Sequence, residues 1–513
     1  MAKANPFEEK GSIDAVLALA NSRHEYFQKA VFVAFAEVSR EGVAKIDCKT
    51  LKPVIHLLMS DFVEVQEIAL STLHQLSRNN DNARLILLSG TMIPLISLMV
   101  SSDKKIHCLI ARCIISLACQ DQNKRIIASS GSLVPLLRLA RSKDVKVQRE
   151  ATGALIVLAL LEGNRQHLVD AGAVPAMLNL LKASDERLRI NSIAILNRIG
   201  FDVPNLKLLA TIKTELVDSV IAMSNSTDCT AKREAALAFR LFAKQMHFQD
   251  EIVRRGGLES LRQLLLSTDQ ATVAMSLICL SSISDRPQHQ SRLIDGGFMG
   301  RLSELLSNNE NETQRGATLT LLMISRRSEL GKVAVLEAGV IQRVRNLILG
   351  APPDIQVSMA ALAYTLTESE TLRPRLMKLG VLDIFICCTT SSDEEVCRYC
   401  MDALLWILLI LSDRQPVVDV WKAPAGGIHD CLLRNLDGTD DISRNRALGV
   451  ISYMLRDEHT NLRTLLKDSA NIRLAIKRIA QLAGQPPWRM MNPISVGAFN
   501  VNIAKGIISF MDN

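Results

Sequence analysis

Residues 164–200, Asn-Arg-Gln-His-Leu-Val-Asp-Ala-Gly-Ala-Val-Pro-Ala-Met-Leu-Asn-Leu-Leu-Lys-Ala-Ser-Asp-Glu-Arg-Leu-Arg-Ile-Asn-Ser-Ile-Ala-Ile-Leu-Asn-Arg-Ile-Gly, decide the fold. The stretch predicts a short helix stopped at Gly172, a second helix launched at Pro175 and a third after Ser184. Along the third run the apolar residues Leu188, Ile190, Ile193, Ile195 and Leu196. Glycine suits the place just past a helix end because it takes positive φ without a Cβ clash. Proline suits the first helical turn, where its missing N–H has no partner to lose. One such unit cannot bury its own apolar faces, so it is a brick in a stack.

Taken as a template, this unit finds its glycine again at Gly90, Gly131, Gly257, Gly297, Gly339, Gly380 and Gly427, at intervals near forty residues. The Gly172-to-Gly257 interval is about double, which implies one unit without the glycine. Such a period marks a solenoid. Pro53, Pro94 and Pro135 repeat the helix-opening signal. Residues 12–42 read as a degenerate first unit that caps the array, with Glu25 and Lys29 one turn apart on a solvated face.

Val-Gln-Arg-Glu-Ala-Thr-Gly-Ala-Leu at 147–155, followed by Gly-Asn-Arg-Gln-His-Leu-Val-Asp-Ala-Gly-Ala-Val-Pro at 163–175, resembles the armadillo repeat. In repeat sequence it is most similar to the fungal vacuolar armadillo adaptors, and more distantly to β-catenin and importin-α. The resemblance is sharp across 132–185, recognisable over 51–131 and 251–385, and only periodic elsewhere. It implies an all-α, right-handed superhelical armadillo solenoid of about eleven or twelve units over residues 1–485, with residues 486–513 as a C-terminal capping segment. That segment either closes the last repeat or folds back into the groove. Two places depart from the template. Phe201-Asp-Val-Pro204 breaks the fifth unit, as a bend in the stack or an irregular loop, and 412–427 holds an insertion with Pro416, Trp421, Pro424 and Gly426.

Composition agrees with one array. Hydrophobic residues make up 48% of the 513 and aromatics only 4%, which suits many small helix–helix interfaces. The net charge of +7, from 60 basic and 53 acidic residues, is thin over this length, so neither nucleic acid nor a membrane surface is the expected partner. The 11 cysteines sit largely inside apolar helical runs, as at Cys108, Cys113, Cys119 and Cys279, and the N-terminus has no apolar leader. A reducing compartment follows, cytoplasm or nucleus. The vacuolar adaptors carry an N-terminal lipidation motif, a Gly followed by cysteines. Here residue 2 is Ala and the first cysteine is Cys48, so that motif is not expected to carry over. The longest apolar run, Ala403–Leu411, is too short to cross a bilayer.

No catalytic motif stands in the sequence. It has no phosphate loop, no nucleophile elbow and no His-Glu-x-x-His, so no enzyme and no cofactor is expected. Cys387, Cys388, Cys397 and Cys400 have zinc-like spacing, but matching Asp393 to Asp144 places Cys388 and Cys400 on the core positions of Leu139 and Ala151. Metal binding is therefore not expected either.

What remains is a surface. The third helices of a solenoid line a groove that can grip an extended peptide or a helix of another protein. In the importin-α branch of the resemblance, an Asn on successive third helices holds the peptide backbone. Counting back from each repeat's glycine places the equivalents at Gln75, Ser116, Val157, Asn197, Leu241, Ser282, Met323 and Thr365, of which only Asn197 is an Asn. No tryptophan ladder accompanies it, so a nuclear-import role is disfavoured. Arg78, Arg198, Arg240, Lys244, Arg326 and Arg327 fall near the same register and suit an acidic peptide as well as solvated helix ends. The expected function is a non-enzymatic scaffold or adaptor. The alternative is a structural part of a cytoskeletal or ciliary assembly.

Overall fold

A computed structural model describes residues 12–40, 46–201, 205, 209–388, 391, 393–410, 415–421, 427–438, 441–455, 462–481, 503–509 and 511. Asp202–Pro204, Pro424, Gly426 and Trp488 lie outside them, as does most of the segment 486–513. The described residues are helical, with no strand among them. They gather into two compact units, Met1–Ser260 and Leu261–Asn513.

The template unit folds as Glu162–Asp170, Ala173–Leu181 and Glu186–Gly200. Between the first two helices Gly172 takes φ 88°, a left-handed conformation that a Cβ would strain. The same positive φ recurs at Gly90, Gly131, Gly256, Gly297, Gly339 and Gly380. Two glycines of the sequence register are corrected. The left-handed residue of the sixth unit is Gly256, because Gly257 already begins the helix Gly257–Leu264. Gly427 is extended, at φ −87° and ψ −172°, and it is a glycine for a different reason. A Cβ there would stand 2.3 Å from the Trp421 carbonyl oxygen.

The third helices are the long ones. In residues 1–260 they are α1 (Val63–Leu76), α2 (Lys104–Leu117), α3 (Val145–Ala159), α4 (Glu186–Gly200) and α5 (Cys229–Phe242). In residues 261–513 they are α6 (Gln270–Ser284), α7 (Asn311–Arg326), α8 (Pro353–Thr367), α9 (Glu394–Ile410) and α10 (Asp441–Leu455). Within each unit every third helix packs on the next, in the manner of an armadillo-type right-handed solenoid.

A Ser-x-Asp turn starts half of them. Asp103, Asp144 and Asp228 each accept the N–H groups two and three residues on, at 2.6–3.2 Å. Asp185 and Asp269 accept the third one. Their own N–H groups donate back to Ser101, Ser142, Ser226 and Ser267, where that serine is present. These bonds satisfy donors that a helix start leaves unpaired. The far end of the third helix is closed by an amide from the following first helix. Asn123 donates to the Leu117 carbonyl, Asn164 to that of Leu158, Gln249 to that of Ala243 and Gln290 to that of Ser284. All four amides are buried.

The first unit consists of Ser12–Ala20 and Glu25–Arg40, the latter packed on α1. Lys29 pairs with Glu25 at 2.8 Å, as the spacing predicts, and also with Glu64 of the next repeat. At 503–509 a short helix buries Ala504 and Ile507.

Candidate protein-binding face of the third helices

Each third helix turns most of its surface into the core and leaves one stripe outside. Counted from the N-cap, the stripe runs through the ninth, twelfth, thirteenth and sixteenth residues, the i, i+3, i+4, i+7 spacing of one helical face. On α3 these are Gly153, Ile156, Val157 and Leu160.

Seven of the eight sequence candidates share the thirteenth place: Gln75, Ser116, Val157, Leu241, Ser282, Met323 and Thr365. Asn197 does not, and this is a correction of register. It follows its cap Asp185 by twelve residues, and Arg198 fills the thirteenth place. The cause lies in the next link. No left-handed glycine separates Gly172 from Gly256 among the described residues, and Ile212, at φ −119° and ψ 24°, stands at the turn instead. The chain from Asp185 to that turn is one residue shorter than in the template, so counting back from the turn lands one residue early.

The candidates also differ in exposure. Gln75 is exposed, and Ser116, Val157, Ser282 and Met323 are half-buried, while Leu241, Thr365 and Asn197 are buried. Asn197, only 2% exposed, is occupied internally. Its Nδ2 donates to the Glu234 main-chain carbonyl and to the Glu234 carboxylate, both at 2.9 Å. Arg198 donates to the same carboxylate at 3.3 Å and to the Ala194 carbonyl at 2.6 Å. The pair ties α4 to α5.

Similar ties cross the stripe elsewhere in residues 1–260. Arg112 on α2 donates through Nε and Nη2 to Glu150 on α3, at 2.9 and 2.7 Å, and this bond holds its pKa above the ordinary guanidinium value. His74 on α1 shares a 2.8 Å hydrogen bond with Ser116, and burial lowers its pKa, which favours a neutral imidazole. Arg78, Arg240 and Lys244 have no carboxylate within ion-pair reach among the described residues. Between them the stripe is apolar. Ile115, Ile156 and Val157 are half-buried, Leu160 is 52% exposed, and Phe201 is 38% exposed beneath the Arg165 guanidinium, 5.6 Å from its ring centre.

In residues 261–513 the stripe is different. Tyr364 lies half-buried on α8, and Trp406 on α9 is 54% exposed. The sequence candidates stop at Thr365 and so miss Trp406. The available signal was Asp393, since Trp406 follows it by the interval that separates Val157 from Asp144. Matching the buried Ala447, Leu448, Val450 and Met454 of α10 to Cys400, Met401, Ala403 and Ile407 of α9 puts Tyr453 at the same place.

The cysteine cluster follows the template. Cys388 and Cys400 are buried core residues, and the Cys397 thiol donates to the Ser391 carbonyl at 3.2 Å. Among the described residues no group of three or more His, Cys, Asp or Glu side chains is arranged to hold a metal. No helix among them is long and apolar enough to cross a membrane. A recess of about 380 Å³, lined by Arg373, Met377, Asp383, Pro416 and Val420 among others, lies away from the third helices.

The repeated three-helix unit, its Asp-capped third helix and the stacking of those helices define a solenoid of the armadillo type. The armadillo/β-catenin-like repeat matches residues 120–155. The chain is 35% identical over 272 residues to vacuolar protein 8 of Schizosaccharomyces pombe, covering 53% of this chain and 50% of that protein. It is 34% identical over 275 residues to vacuolar protein 8 of Candida albicans, covering 53% and 47%. The chain thus spans about half the length of the curated relatives it matches. Among solved structures, an engineered protein matches with a TM-score of 0.69 at 24% identity, covering 79% of this chain and 98% of that one, and supports the fold.

Proposed function

We propose that the third-helix stripe holds extended segments or helices of other proteins, and that the chain is an adaptor working by groove binding. One observation carries the reading. Within each compact unit the long third helices leave large apolar side chains in solvent on their outer stripe, Leu160 and Phe201 in residues 1–260 and Trp406 in residues 261–513. Aromatic and aliphatic side chains held on a rigid scaffold lose little freedom on binding, which favours affinity. Gln75, Ser116 and Ser282 supply hydrogen-bonding groups to a partner's backbone. Arg198 takes the place first given to Asn197, whose amide is spent on Glu234. The reading places the chain in the cytoplasm or nucleus, and the relatives' name adds the vacuole as a place to look.

Affinity purification of the full chain against a Ser116→Arg, Val157→Arg, Ser282→Arg variant tests it, with folding checked by circular dichroism. Loss of co-purifying proteins is expected. Retention of every one of them contradicts groove binding.

A second reading is favoured by exposed apolar residues on the second helices. Ile93 is 75% exposed and Val134, at the same place one repeat on, is 63% exposed. This face suits packing against neighbouring subunits of a cytoskeletal or ciliary assembly. Retention in the filament fraction after mild detergent, abolished by Ile93→Arg with Val134→Arg, would favour it over the adaptor.

A further inference from the structure

We infer that the third-helix face of residues 1–260 takes a segment with apolar anchor residues at its centre and acidic residues at both ends. The inference rests on the groove reading above and adds the chemistry of the occupant. The centre is Ile115 on α2, then Ile156, Val157 and Leu160 on α3, then Phe201 just past α4. All five side chains reach solvent. Near this centre Arg112 pairs with Glu150 and Arg198 with Glu234, and the Arg165 guanidinium lies over the Phe201 ring. Beyond it lie cations without a carboxylate partner among the described residues, Arg78 at the end of α1 on one side and Arg240 with Lys244 at the end of α5 on the other.

Packed helices stand roughly 8–10 Å apart, so the apolar centre from α2 to α4 spans about 20 Å and the cations about 40 Å. An extended chain rises about 3.3 Å per residue, which sets about six residues across the anchors and about twelve between the acidic ends. Unpaired cations outside an apolar centre reject a segment with basic ends and steer one with acidic ends.

The test is fluorescence anisotropy of the full chain with three fluorescein-labelled peptides of matched length. The first has two glutamates at each end and leucine and phenylalanine anchors in the middle. The second has lysines in place of the glutamates, and the third has serines in place of the anchors. The first peptide is expected to bind at least about tenfold more tightly than either other. Arg240→Glu with Lys244→Glu should cost the first peptide about tenfold, with the circular-dichroism spectrum unchanged. Equal or tighter binding of the lysine peptide, or binding of none of the three, overturns the inference. If the arginine triple variant still loses its cellular partners in that case, the groove reading survives and only the occupant's chemistry fails.

Discussion

The two compact units use one scaffold to present two different faces. On the third helices of residues 1–260 the stripe is mainly aliphatic, through Ile156, Val157 and Leu160, with Phe201 past the end of α4, and cations flank it. On those of residues 261–513 it is aromatic, through Tyr364, Trp406 and Tyr453, and its charges are of both signs, with Asp285 at the sixteenth place on α6 and Arg326 at that of α7. The Asp-capped helix starts, the buried amides and the left-handed glycines are common to both. In the groove-binding proposal, specificity resides in a few outward residues per repeat, and the elements that build the repeat leave those residues free to vary.

Third helices also approach one another to different degrees at different places, and here the largest effect is expected. A Cβ on Gly316 of α7 would stand 2.7 Å from the Leu277 Cβ of α6, whereas one on Gly153 of α3 would meet only Ile115 Cδ1 at 3.5 Å. Gly316→Ala should cost about 1–3 kcal/mol by overpacking. Gly153→Ala should be neutral or stabilise by up to about 1 kcal/mol, since glycine is a poor helix former. Urea unfolding of both variants checks the contrast, and equal costs would break it.

A shared device should behave alike in both units. Removing the caps by Asp228→Ala or Asp269→Ala should each cost about 1 kcal/mol, read by the same urea titration. Hydrogen bonds from the helix N–H groups, that of Ala231 foremost, lower the Asp228 pKa. Its contribution is complete above the unfolded carboxylate pKa and is lost as pH falls through the lower folded value, so the cost of Asp228→Ala should fade below about pH 4.

Much of this was legible beforehand. The forty-residue period, the glycine links, the first-unit Glu25–Lys29 pair and the core places of Cys388 and Cys400 all follow from the sequence. These are local rules of helix start, stop and spacing. The face was harder to read, because it depends on register to the single residue. Glycine keeps that register only where the link has constant length, and the link ending at Ile212 is one residue short. The aspartate cap belongs to the third helix itself and keeps count through the irregularity. It turns Asn197 inward, brings Arg198 into line and extends the series to Trp406. Whether a polar side chain faces a partner or a neighbouring helix, as Asn197 faces Glu234, is a tertiary fact with no local sequence signal.

Smaller effects separate the units further. The Arg112–Glu150 pair is part-exposed, so Arg112→Ala should lower stability by no more than about 1 kcal/mol, with the loss shrinking in high salt. His74 and His107, both in residues 1–260, have pKa values lowered by burial. The unfolded chain protonates first, so their contribution is intact above about pH 6.5 and falls as pH drops toward the folded values. A His74→Gln, His107→Gln variant should show a flatter decline in melting temperature between about pH 7.5 and 5.5 than the parent chain.

The central claim is that partners lie on the third helices, and site-specific photo-crosslinking tests it most directly. Benzoylphenylalanine is placed at Val157 or Leu160 on α3, and separately at Val134 on the second helix of the same repeat, in the full chain within cells. The account predicts covalent adducts to the same partner proteins from Val157 and Leu160 and none from Val134. Adducts from Val134 alone would contradict it and assign partner binding to the second-helix face.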